Sequence, residues 1–311
     1  MDFIKASGIS KSYKDKKILK DINLKLESGQ VLSVVGNSGS GKSTLLKILS
    51  GIIEDFEGNI FLNDKDITKL PMKDRKFILM FQDDELFPHM TIFDNVAFGL
   101  KMENKDKAFI EKEVNKYLNL VSLIDHKNKY PSQLSGGEKQ RIALARSLIV
   151  KPKMLLLDEP FTALDPSLRQ NLRQETFKII KDQNIPTIFV SHDINEAVEV
   201  ADKLAILSNG KFVAYDNPRN IFENPRNLAT ARFIFKDNII ENKLIKKSDI
   251  DLVPGSDYKI IDKLYKGDYF TYRLVNDDYN ILVDSRKEYS INDRINAKIK
   301  RVIELEEEWK K

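Results

Sequence analysis

The run Gly36-Asn37-Ser38-Gly39-Ser40-Gly41-Lys42-Ser43 fills every fixed position of G-x-x-x-x-G-K-[ST]. Such a run can hold phosphate. Its glycines let the backbone curl until successive amide N–H groups point inward, and the positive end of a following helix strengthens their pull on the oxygens. Lys42 adds an ammonium for the β- and γ-phosphates, and Ser43 a hydroxyl able to ligate Mg2+. A second feature, Asp158-Glu159, closes the apolar run Met154-Leu155-Leu156-Leu157. Carboxyl ends of parallel strands face the ligand crevice. Asp158 can therefore hold the same metal while Glu159 polarises a water for in-line attack on a γ-phosphate. The third feature is Leu134-Ser135-Gly136-Gly137-Glu138-Lys139-Gln140-Arg141, a serine and two glycines before a stretch with Ile142, Leu144, Ala145 and Leu148 on one side. It is a second anion-binding helix start. One nucleotide and two phosphate-seeking helix ends are reconciled if the second end serves a nucleotide held by another copy of the chain.

These residues need a scaffold, and the pattern supplies one. Val31-Leu32-Ser33-Val34-Val35 reads as a strand, and Met154 to Leu157 and Thr187 to Val190 are apolar throughout, as strands covered on both faces are. Lys42 to Leu49 has helical spacing, with Leu45, Leu46, Ile48 and Leu49 on one side. Asp106 to Val121 repeats the pattern with Phe109, Ile110, Val114, Tyr117, Leu118 and Val121. Strands alternating with helices predict a largely parallel sheet in an α/β fold. The opening segment, with Ile18, Leu19, Ile22, Leu24 and Leu26, reads instead as antiparallel β structure flanking that core. After Phe235 the pattern changes to short alternating segments at Tyr269–Val275, Ile281–Val283 and Ile295–Lys300. Pro254-Gly255, Lys266-Gly267-Asp268 and Asn276-Asp277-Asp278 read as turns between them. The expected division is 1–235 and a small all-β domain at 236–311.

Composition narrows the functional classes. The 311 residues contain no cysteine, which excludes disulfides, thiolate catalysis and Cys-based zinc sites. Lys and Arg number 51 against 47 Asp and Glu, and the charges are interspersed, a pattern of solvated faces more than of a nucleic-acid groove. The apolar runs fall far short of the ~20 residues of a membrane-spanning helix. The amino terminus lacks the basic, apolar and small-residue order of a signal peptide, so a soluble cytoplasmic protein is the expectation.

With these motifs together, the chain resembles the ATP-binding cassette (ABC) ATPases over about its first 230 residues. The stretch LSGGE is that family's signature. Gln82, after Phe77 to Phe81, resembles the glutamine loop, Ala163-Leu164-Asp165 the D-loop, and His192 after Phe189-Val190-Ser191 the switch histidine. Tyr13 stands where an aromatic side chain stacks on adenine. The resemblance implies a P-loop NTPase cassette with a RecA-like core, an antiparallel β subdomain and a helical subdomain, followed by an oligonucleotide-fold-like β domain. It implies ATP and Mg2+ as ligands. Gly36 to Ser43 with Thr44 would cradle the phosphates, Ser43, Gln82 and Asp158 would surround the metal, and Lys42, Gln82, Glu159 and His192 would serve hydrolysis. Two cassettes would pair head to tail, with Ser135-Gly136-Gly137 of one closing on the ATP of the other and Asp165 linking the two sites. Asn37 departs from the proline common at this variable position.

The phrase LFPHMTIFDNVAFGL resembles that of bacterial importer ATPases for iron(III), polyamines, sulfate and maltose-type solutes. Beside it, a cleft in those systems receives a helix of a separate membrane permease. The resemblance thus implies a peripheral subunit on the cytoplasmic face of the membrane, working with permease subunits and an extracytoplasmic solute-binding protein. Asn224 to Phe233 resembles the linker to the terminal β module, and Lys266-Gly267-Asp268-Tyr269 to Leu274 a strand pair of that module in the iron and polyamine branches. Iron(III) is the leading expectation for the solute, with a polyamine, sulfate or other anion as alternatives. An export or lipoprotein-release cassette, or a translation or DNA-repair ATPase, is the rival class. His89 and His126 carry no expected role, and His126 is expected to face solvent. The acidic run Asp83-Asp84-Glu85 reads as a solvated loop.

Overall fold

The computed structural model describes residues 2–81, 86–162 and 166–307. Contacts divide the chain into two compact units, 1–218 and 219–311.

In the first unit, β1 (Asp2–Tyr13) pairs antiparallel with β2 (Lys16–Glu27) and with β4 (Glu57–Leu62), which pairs with β5 (Lys65–Asp66). Ile22, Leu24 and Leu26 of β2 alternate with exposed residues, so one face of this sheet is buried. The second sheet is the expected parallel core. β3 (Val31–Val35), β7 (Met154–Asp158) and β8 (Thr187–Ser191) are buried at every position. With β6 (Phe77–Met80), β9 (Lys203–Ser208) and β10 (Lys211–Asp216) they form the order β10-β9-β3-β8-β7-β6, in which β10 alone is antiparallel to its neighbour. The register sets Val35 beside Ser191 and Val190 beside Asp158. The strand order therefore delivers the phosphate loop, His192 and Asp158-Glu159 to one edge, with His192 arriving between the other two.

Helices α1 (Lys42–Ser50), α6 (Pro166–Asp182) and α7 (Ile194–Val200) accompany that sheet. α2 (Met72–Arg75) is a single turn, and its Arg75 is buried. The Arg75 guanidinium donates to the Ile48 and Leu49 carbonyls at the end of α1 (3.0 and 2.7 Å) and to those of Leu70 and Thr68 (2.8 and 3.0 Å). It thus satisfies carbonyls that the helix itself leaves open, at the end where a positive charge is favoured. A helical layer follows: α3 (Ile92–Met102), α4 (Lys107–Leu120) and α5 (Gly136–Ile149), each started by a side-chain cap, from Thr91, Asp106 and Ser135. Val96, Leu100, Val114, Leu118, Ile142 and Leu148 join these helices to residues of the parallel sheet in one apolar core. The helix expected from Asp106 to Val121 lies one residue inside those limits at each end.

The second unit opens with α8 (Pro218–Glu223) and α9 (Leu228–Ile234). The stretch Asn224 to Phe233, read from sequence as a linker, folds in its second half into α9. There Ala231 packs with Leu244, Ile303 and Leu305, and its neighbours include the short strands β11 (Ile239–Ile240), β12 (Lys243–Leu244) and β17 (Ile303–Glu304). The apolar rhythm of α9 is too brief to stand out in the sequence. A four-stranded antiparallel sheet, β15 (Asn280–Ser285), β14 (Phe270–Val275), β13 (Ile250–Tyr265) and β16 (Arg294–Ile299), gathers Ile260, Tyr272, Leu274, Ile281, Val283 and Ile295. Pro254-Gly255, expected to end a strand, lies inside β13. Pro254 and Tyr258 both face Ile295, so the intervening residues bulge out of the ladder and the strand resumes. Asn296 accepts the Asp257 N–H in that bulge (2.9 Å).

Candidate functional site

β3 delivers the chain to Gly36, where a Cβ would lie 2.3 Å from the Leu207 carbonyl oxygen, so the close approach of two backbones requires glycine. Gly41, at φ 109°, turns the loop into α1. Lys42 opens the helix and folds back across the loop, its ammonium donating to the Gly36 and Asn37 carbonyls (2.9 and 3.2 Å). Burial lowers the pKa of this ammonium, against the opposing influence of the Glu159 and Asp158 carboxylates.

Asp158, the last residue of β7, is buried and hydrogen-bonded to Ser43. Burial pushes its carboxyl above the usual carboxylate range, although Ser43 and Lys42 pull it down. Ser43 and Asp158 are hard oxygen donors in mutual contact, as Mg2+ prefers. Among the described residues no group of three or more His, Cys, Asp or Glu side chains gathers as a metal site. These two would therefore hold the ion with phosphate oxygens and water in its remaining positions.

Glu159 adopts φ 50°, a left-handed conformation uncommon for a side chain of its length. Three bonds hold it there: its N–H donates to Val190 O (3.1 Å), and its carbonyl accepts from Thr162 Oγ1 (3.0 Å) and Gln140 Nε2 (3.4 Å). The turn aims the carboxylate at His192, whose Nδ1 lies 3.0 Å from Glu159 Oε2. The His192 side chain is 60% exposed and that of Glu159 17%. A cleft of about 570 Å3 has Tyr13, Lys42, Ser43, Asp158, Glu159 and His192 in its walls, and Ser38, Gly39, Gly41 and Thr44 also line it. Asn37 and Ser40 line an adjoining hollow. Lys11 places its ammonium 4.9 Å from the centre of the Tyr13 ring.

Ser135, Gly136 and Gly137 do not line the cleft. Ser135 caps α5 by accepting the Glu138 N–H, and Glu138 in return accepts from the Ser135 N–H and hydroxyl (both 2.8 Å). A Cβ at Gly136 would meet nothing within 4 Å, so this helix start is open. Gln82 and Asp165, with Asp83-Asp84-Glu85, lie outside the described residues. The expectation for His126 is corrected: its side chain is 25% exposed, and Nδ1 lies 3.5 Å from Glu138 Oε1, because the turn after α4 packs beside the start of α5. His89 sits against the Phe87 ring, 6.2 Å between centroids. Sequence reasoning overlooked Thr162 and the role of Gln140 in holding Glu159. Gln140 stands within the signature stretch, but no spacing rule announces its partner.

The family model of ABC transporters matches residues 19–162. Over 262 residues the chain is 39% identical to the spermidine/putrescine import ATP-binding protein PotA of Spiroplasma citri, an alignment covering 84% of this chain and 75% of that one. The chain belongs to the ATP-binding proteins of ABC transporters. It is 44% identical over 237 residues to the protein of the same name from Fusobacterium nucleatum, covering 76% of this cassette protein but 63% of the relative's length. The Vibrio cholerae relative gives 42% over 246 residues, 79% of this chain and 65% of that one. Among solved structures, a dimeric ATP-binding cassette, MJ0796, in a post-hydrolysis state bound to ADP and Pi, superposes with a TM-score of 0.64 at 28% identity over 69% of this chain and 98% of that one. The cassette fold is thereby shown. No described helix is long and apolar enough to cross a membrane.

Proposed function

We propose that this cassette hydrolyses ATP to drive uptake of a polyamine through separate membrane permease subunits. The observation that carries the ATPase reading is the convergence of Lys42, Ser43, Asp158, Glu159 and His192 on one cleft. The relatives named above, each a spermidine/putrescine import protein, support the polyamine. They favour the polyamine alternative over the iron(III) expected from the sequence, which is set aside.

In this reading the loop from Gly36 to Thr44 binds the phosphates through its amides, and Lys42 leaves its carbonyl partners to meet the β- and γ-oxygens. Ser43 and Asp158, with Gln82, hold Mg2+, which offsets phosphate charge when bound. Glu159 accepts a proton from the water whose oxygen forms the new bond to the γ-phosphorus, as the bond from that phosphorus to the β–γ bridging oxygen breaks. ADP and phosphate leave. His192, already against Glu159, orients the carboxylate and meets the γ-phosphate. Tyr13 stacks on the base. Ser135, Gly136 and Gly137 of a second cassette complete the site from the opposite side, and Asp165 connects the two sites. The open start of α5 supports that arrangement, since its N–H groups have no ligand within their own chain's cleft. The assembly would lie on the cytoplasmic face of the membrane with a solute-binding protein outside.

The test is Glu159→Gln in the presence of ATP: size-exclusion should resolve a stable dimer that binds ATP without turning it over. A monomer with normal hydrolysis would refute the assignment. Reconstitution with co-purified membrane permease subunits, followed by uptake of labelled spermidine and of iron(III), tests the solute.

A further inference from the structure

The residues flanking His192 belong to a polar cluster behind the nucleotide cleft. Ser191 is buried; its hydroxyl accepts the Asp193 N–H (3.0 Å) and donates to Glu196 Oε2 (3.2 Å). One chain of hydrogen bonds thus brackets the backbone on both sides of His192. The other oxygen of Glu196 faces α6, with Arg173 Nη1 at 3.1 Å and Arg169 Nη1 at 3.6 Å. Arg173 is itself buried and reaches Glu199, one turn along α7. Arg169 also donates to the Thr162 carbonyl (3.2 Å), and Thr162 donates through its hydroxyl to the Glu159 carbonyl. Glu159 and His192 meet directly in the cleft. They are joined a second time behind it, through Thr162, Arg169, Glu196 and Ser191.

We propose that Glu196 is a positioning residue: through Ser191 it sets His192 against Glu159, and through Arg169 and Arg173 it ties that setting to helix α6. The inference rests on the ATPase reading above. A carboxylate whose side chain is 13% exposed, shared by two guanidinium groups, is a stiff junction, because charge-assisted bonds are strong and little water competes for them. α6 starts immediately after residues 163–165, the segment assigned above to the link between paired cassettes. A shift of α6 when a second cassette docks is therefore carried to both members of the Glu159–His192 pair. The start of α7 adds to the hold, because Asp193 caps it by accepting the Asn195 N–H (2.8 Å).

The experiment is a double-mutant cycle in the full chain, Ser191→Ala and Glu196→Gln, with kcat and KM for Mg–ATP measured beside melting temperature. Each single change should lower kcat on the order of tenfold, as displaced catalytic groups do, and leave KM within about twofold. The double variant should be no slower than the slower single one. Ser191→Thr, which keeps the hydroxyl, should restore most of the rate. Losses that multiply in the double variant, unchanged kcat in both singles, or a rate loss that follows melting temperature without rescue by threonine would each overturn the proposal. An unmutated chain that binds but never hydrolyses ATP would overturn the ATPase reading itself, and this one with it.

Discussion

Two helices of this chain begin alike and are equipped differently. α1 follows a glycine-rich loop, and around its first turn stand an ammonium, a hydroxyl, two carboxylates and an imidazole. α5 follows a serine and starts on two glycines, and the one side chain bonded at its first turn is its own Glu138, which closes a capping box with Ser135 and leaves the space beside Gly136 open. A helix start leaves its first N–H groups without intrahelical carbonyl partners, so either end could attract an anion. Only α1 has the means to act on one. The contrast teaches that a helix start supplies binding and orientation, while chemistry requires side chains brought from other strands, here β7 and β8.

The strongest way to break the comparison is to empty α1 of its charge. Lys42→Ala should abolish ATP turnover and weaken nucleotide binding beyond detection in equilibrium titration. Glu159→Gln should cost about 10²–10⁴-fold in kcat with binding retained, the usual worth of a positioned general base. Ser135→Arg fills the open start of α5 and should depress turnover and ATP-driven dimerisation, while the monomer binds ATP within about twofold of the parent. Equal loss of monomer binding would place α5 in its own chain's site.

Smaller effects distinguish the two starts by pH. Burial raises the Asp158 pKa, so in the nucleotide-free protein its ionised form is disfavoured by folding. Asp158→Asn should then raise the melting temperature at neutral pH, by about 2–4 °C for each kcal/mol relieved. The gain should begin to fade as pH falls through the folded pKa and be gone below the ordinary carboxylate pKa, where Asp158 is protonated in both states. Glu138 carries the opposite sign: hydrogen bonds from the Ser135 N–H and hydroxyl hold its carboxyl below the usual range. Glu138→Ala should lower the melting temperature slightly at neutral pH, because the capping box loses its reciprocal half. That loss should fade in acid, as the parent loses the same interaction. Melting curves of both variants from neutral to acid pH would check the crossing.

Much of the cassette was legible because its information is local. The phosphate loop needs residues at adjacent positions, and β3, β7 and β8 announce themselves by short runs rich in apolar and β-branched residues. The left-handed turn at Glu159 was not legible, since no spacing rule reports a φ imposed by Val190, Thr162 and Gln140 from three separate segments. Nor was the helix α9, whose apolar partners Leu244 and Ile303 lie ten or more residues away in sequence. Pro254-Gly255 carried a true signal of backbone departure, and only the ladder with β16 shows that the strand continues past it. His126 read as a solvent residue because its polar neighbours in sequence conceal Glu138, its neighbour in space.

Arg75 has a consequence for how the cassette can evolve. Its guanidinium satisfies carbonyls of four different residues, and no carboxylate neutralises it within hydrogen-bond reach among the described contacts. A lysine there would keep the charge but lose the fork, so a swap counted as mild in substitution tables would leave backbone oxygens bare in the interior. Through this one side chain the end of α1 is moored to the carbonyls of Thr68 and Leu70.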